Sequence, residues 1–129
     1  MPGASNYLEN ALLNHVLRAT TYTAPSAVYA SLHTGAGPDE TGNAFEVAGS
    51  NYGRTLVSFG VSTTGGSHNT GVVTFPTPSA TWGTVTAFGL FDASTNGNLL
   101  YFGNLTSSKT INADDSVTFQ SGALNIYLD

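Results

Sequence analysis

Three histidines, two adjacent carboxylate pairs and many hydroxyls are the residues of this 129-residue chain whose types could do chemistry. Their spacing argues for a quieter role. His15, His33 and His68 are far apart in sequence and fall on different expected elements, whereas a zinc or related site needs several nitrogen, sulfur or carboxylate ligands converging at metal distance. With no cysteine, thiolate ligation, disulfides and thiol catalysis are excluded. The thirteen serines include none in a Gly-x-Ser-x-Gly elbow, so no nucleophile is singled out. Asp39-Glu40 and Asp114-Asp115 match neither a calcium loop nor a glycosidase pair set across a cleft, and they read as solvated turns. The glycines form neither a phosphate-binding loop nor a dinucleotide fingerprint. No catalytic, cofactor-binding or metal-ligating residue is nominated, no cofactor is expected, and the chain reads as a non-enzyme.

Composition narrows the partners. Charged residues make up only 9% of the chain, and Gly, Ser, Thr and Asn together supply 57 of its residues. These types suit turns and exposed strand faces and suit helix interiors poorly. Arg18, Arg54 and Lys109 are the only cations and the net charge is −5, which disfavours contact with nucleic acid or with anionic membranes. No stretch approaches the ~18 apolar residues of a spanning helix. The start of the chain lacks the basic and apolar run of an export signal, so synthesis in a cytoplasm is expected. The length fits a single domain, 1–129.

The expected elements follow from periodicity. Asn6 as a cap with Glu9 three residues on, then Leu8, Ala11, Leu12, His15 and Val16 at helical spacing, predict a helix over about 6–18. Leu13 and Leu17 widen its apolar face. Beyond Pro25 the period changes to two. Strands are expected at 28–33, at 55–61, at 73–75, from Val85 to Phe91, from Leu99 to Gly103, and in short pieces at 109–112, 117–119 and 124–128. Val85, Ala87, Gly89 and Phe91 are expected on one face of their strand, with Thr86, Phe88 and Leu90 opposite; apolar residues on both faces mark a central strand. Asn96-Gly97 predicts a hairpin. Residues 34–51 form a long acidic and Gly-rich loop, and 63–71 a second polar loop. Seven or eight strands with one N-terminal helix predict an all-β sandwich, jelly-roll-like.

Two stretches then carry a resemblance. One is Tyr7-Leu8-Glu9-Asn10-Ala11-Leu12-Leu13-Asn14-His15-Val16-Leu17, followed by Tyr22-Thr23-Ala24-Pro25 and Val28 to Thr34. The other is Ala87-Phe88-Gly89-Leu90-Phe91-Asp92-Ala93 with Gly97 to Gly103, continuing into Lys109 to Asp115 and Gly122-Ala123-Leu124. In this order they resemble a family of small bacteriophage virion proteins, labelled both capsid decoration (cement) proteins and tail-fibre proteins. Asp114-Asp115 departs from the Gly-Asp turn expected in relatives. The resemblance implies a virion structural protein without catalysis. As a decoration protein it would bind the major capsid protein on the outside of the head as a homotrimer, with Leu8, Leu12 and Val16 of the helix and Asp39, Glu40 and Phe45 of the long loop as contact residues. As a tail-fibre component it would attach to host through loops carrying Tyr52, His68 or Trp82. A carbohydrate-binding module on the same fold is a third expectation.

Overall fold

The computed structural model describes residues 3–128. Among them the order of elements is β1 (Gly3–Ala4), α1 (Asn6–Arg18), β2 (Val28–Thr34), β3 (Thr55–Val57), β4 (Gly66–His68), β5 (Val73–Thr74), β6 (Gly83–Phe91), β7 (Leu99–Ile111), β8 (Thr118–Phe119) and β9 (Asn125–Tyr127). Five strands form an antiparallel sheet in the order β1-β7-β6-β2-β3. Two ribbons, β4–β9 and β5–β8, make the opposing layer. The chain is thus an all-β sandwich with an N-terminal helix. The main core lies between the layers, where Ala30, Leu32, Val85, Phe88 and Leu90 of the sheet meet Val73, Phe75 and Leu124.

The helix spans the residues that its spacing predicts, but its cap is Ser5 rather than Asn6. The Ser5 hydroxyl oxygen accepts from the Leu8 N–H (3.2 Å) and donates to the Leu99 carbonyl, so one side chain closes the helix and ties it to β7. Ala19 ends the helix in a left-handed conformation, with its φ at 54°.

The central hairpin β6–β7 turns at Asn96-Gly97, where both residues hold positive φ (55° and 72°). Asp92 closes that loop by accepting from the backbone and side-chain nitrogens of Asn98 at 2.7 and 3.0 Å. The expected alternation along β6 breaks at one place. His33 pairs with Ala87 but Thr34 pairs with Val85, so Thr86 is an extra residue. This bulge turns Val85 onto the face of Phe88 and Leu90, instead of that of Ala87, Gly89 and Phe91.

Several short elements differ from expectation for a common reason, namely that their pairing partners are distant in sequence. The strand at 55–61 ends at Val57, and Val61 is exposed. The polar stretch 63–71 contains β4, recruited by β9. Residues 109–111 belong to the end of β7, whose register with β6 shifts by letting Leu105–Ser108 bulge out opposite Thr86. β1 forms only because β7 offers an edge to Gly3 and Ala4.

Candidate functional site

Two surfaces gather the nominated residues. On α1, Leu8 and Leu12 are half-buried, and Leu8 packs against the main core. Leu8 thereby holds the helix to the body. Val16 is different: with Leu13 and Leu17 it stands exposed at 56%, 73% and 74% for residues 13, 16 and 17. Spaced i, i+3 and i+4, these three side chains form one apolar patch on the outer half of the helix. Leu13 and Leu17 were visible in the sequence as a widening of the apolar face. Which part of that face turns outward depends on where Leu8 docks.

The long loop is built onto the second face of the sheet. Thr34 N–H donates to the Phe45 carbonyl (2.9 Å) and Val47 N–H to the Leu32 carbonyl (3.0 Å), so residues 45–47 run along the β2 edge beyond β3. Asp39 makes a tight turn, accepting from the Thr41 amide and hydroxyl at 2.9 and 2.6 Å; those bonds hold its carboxyl below the usual range. Glu40 is exposed, and its backbone carbonyl accepts from the Asn6 N–H (2.8 Å), stitching the loop to the start of α1. Phe45 is exposed at the outer rim in a left-handed conformation.

Beneath this loop lies a polar clamp. Arg54 donates to Glu46 through Nε and one Nη, both at 2.9 Å, and through its other Nη to the carbonyls of Ala93 (2.9 Å) and Asn96 (2.7 Å). Its guanidinium lies 3.6 Å from the centroid of the Phe91 ring. Tyr52 donates to Glu46 (2.7 Å) and accepts from Leu32 N–H (3.1 Å). The Arg54 and Glu46 side chains are only 6% and 15% exposed. Burial pushes the Glu46 carboxyl up, but the bonds from Arg54 and Tyr52 outweigh it and hold the group below its ordinary value. Burial and the neighbouring carboxylate push the Tyr52 phenol far up. The loop and the β6–β7 turn leave between them an open cleft of about 560 Å³, with Glu46, Arg54, Tyr52 and Asn96 in its lining. The scarcity of cations was the signal for this clamp: one of only three is spent here.

The sandwich also contains a serine–histidine pair that resembles catalytic machinery. Ser31 Oγ and His33 Nε2 are 2.8 Å apart, and His33 Nδ1 lies 2.8 Å from the Ala44 carbonyl. A carbonyl only accepts, so Nδ1 carries the proton and Nε2 accepts from Ser31. Both residues are 0% exposed. No substrate reaches Ser31, and a carbonyl stands where a triad has a carboxylate; the pair fastens the loop to the sheet.

Of the residues nominated for receptor contact, Tyr52 and Trp82 meet each other, while His68 lies on β4. Trp82 is buried, its indole N–H donating to the Ser50 carbonyl (2.9 Å), and Tyr52 meets it edge-on at 5.3 Å. His68 is exposed, on β4. Asp115 caps its own turn by accepting from Asn112 N–H at 2.7 Å. Among the described residues no group of three or more His, Asp or Glu could hold a metal ion, and no helix is long and apolar enough to cross a membrane.

A two-layer antiparallel domain with few charges, a sealed Ser–His pair and an outward apolar helix patch has the makings of a structural subunit, and comparison with known families gives its class, that of phage virion structural proteins. A family model described as "Podophage GP4 fiber I protein gp80" matches residues 3–127, and the chain belongs to this family. No curated protein matches it.

Proposed function

We propose that the chain is a structural subunit of a phage tail fibre, acting through protein contacts and without catalysis. The family match across 3–127, to proteins described as fibre components, carries this reading. The surface supports it: Leu13, Val16 and Leu17 form an apolar patch suited to a neighbouring virion protein, and Asp39, Glu40 and Phe45 stand out on a loop whose backbone is tied down. With Arg54 committed to Glu46, little positive charge is left to attract nucleic acid.

The decoration reading shares this surface and differs in partner. There the chain would sit on the major capsid protein as a homotrimer at three-fold positions, and would stabilise the head by binding only its expanded form. Antibody-gold labelling of intact particles separates the two. Label on the tail is the expected result. Dense label over the head, with copies in the hundreds, would replace the fibre assignment with decoration.

A further inference from the structure

The open cleft above the clamp does not end at Asn96. A smaller opening of about 200 Å³ continues it toward the start of α1, and both have Asn43, Phe91 and Gly97 in their linings. Together they make one trough between the long loop and the β6–β7 turn. Tyr52 and Arg54 line the larger part, and Tyr7 and Glu40 line the smaller.

The lips of this trough are set without a ligand. Asp92 holds one lip through Asn98, and Arg54 holds it from below through the carbonyls of Ala93 and Asn96. On the other lip, Asn43 donates to Glu46 at 3.1 Å and Thr41 is turned onto Asp39. A site fixed in advance spares the ordering cost of binding. The side chains of Ser94, Thr95 and Asn96 make none of these bonds and stand exposed along the rim.

Charge is spent within the floor. The Glu46 oxygens accept from Arg54 twice, from Tyr52 and from Asn43, and Arg54 donates two further bonds to backbone carbonyls. Neither ion is left to draw in a charged group. Among the described lining residues, Glu40 is the one ion without a counter-ion, and it repels anions. What the trough offers instead is hydroxyls and amides, which suit a ligand whose own groups both donate and accept. Tyr7, 41% exposed, adds an aromatic face for C–H groups. A peptide is a poorer match. Extended peptides add to a strand edge, and the β2 edge beside the trough is taken by residues 45–47. Phe91 in the floor is only 1% exposed and offers no apolar anchor.

We propose that this trough binds a neutral oligosaccharide, through the amides and hydroxyls of Asn43, Ser94, Thr95 and Asn96 and the ring of Tyr7. The site lies within one chain and goes beyond the fibre assignment, on which it does not depend.

The test is titration of the full chain, followed by amide chemical shifts. The probes are neutral oligosaccharides of glucose, galactose, mannose and rhamnose, a second set bearing uronate or sialate groups, and an unstructured peptide. At least one neutral probe should saturably shift the amides of residues 41–43 and 94–98, and added salt should not weaken it. A triple variant, Ser94→Ala, Thr95→Ala and Asn96→Gly, removes side chains that do not hold the lip and keeps a residue suited to the positive φ at position 96. It should bind about tenfold more weakly. Should that variant disturb the turn, Tyr7→Leu at the far end gives an independent reading, again as weaker binding. Absence of binding by every neutral probe, binding of the acidic probes or the peptide alone, shifts centred outside the trough, or affinity that survives both variants overturns the proposal. None of these results moves the gold label on the particle, so the two readings fail separately.

Discussion

The ribbon-covered and loop-covered faces of one sheet reach closure by opposite means. The first buries Leu32, Phe88, Leu90 and Leu124 against other apolar groups, and its stability scales with area. The second encloses the smaller cluster of Phe91, Leu99 and Phe102, with Ala87 also buried on that face, and relies on a bidentate ion pair, a tyrosine and a histidine set at hydrogen-bond distance. An apolar cover is forgiving of detail and indifferent to pH. A polar cover is exacting, since each buried partner left alone costs more than the pair contributes.

Substitutions on the two faces sharpen this contrast. Arg54→Met leaves Glu46 buried without its cation and should cost about 3–5 kcal/mol in urea unfolding, with protease cleavage appearing first within 37–51. Recovery of most of that loss in an Arg54→Met, Glu46→Leu double variant would confirm that the orphaned charge is responsible. Leu124→Ala, on the ribbon face, should cost about 3 kcal/mol by leaving a cavity; its loss should be the same at pH 7 and pH 5, and a loss that grows in acid would erase the distinction. Gly89→Ala drives a methyl into Ser31 and His33 and should cost about 1–3 kcal/mol, read as weaker protection of Val47 than of Phe75. Ser5→Ala should cost about 1 kcal/mol through loss of the helix cap, seen as a drop in melting temperature with helix content reduced and both faces otherwise intact.

The legible parts of the molecule are those whose cause is local. The helix is written in the spacing of Leu8, Leu12 and Val16, the hairpin in Asn96-Gly97, and the central strand in the apolar residues on both sides of β6. The cap was missed by one position because Ser5 and Asn6 are both good caps, and only the reach of Ser5 to the Leu99 carbonyl decides between them. β1 and β4 have no period of their own; each exists because a strand far along the chain offers an edge. The clamp was hidden for a similar reason. Glu46 and Arg54 lie in a stretch with no repeating pattern, and what joins them is the folding of 45–47 back along β2. Asp39, Glu40 and Phe45 lie on the outer side of that loop, while groups that hold it down, such as Glu46 and the Ala44 carbonyl, are on its inner side.

The position of Trp82 has a practical corollary. It is the only tryptophan in the chain, and its indole N–H is held by the Ser50 carbonyl at the far end of the long loop, with Tyr52 edge-on beside it. The molecule therefore contains its own optical gauge. Any displacement of the Ser50 end of the loop removes the carbonyl that holds the indole N–H, so the colour of its ultraviolet emission reports that end of the loop on unlabelled protein and in real time.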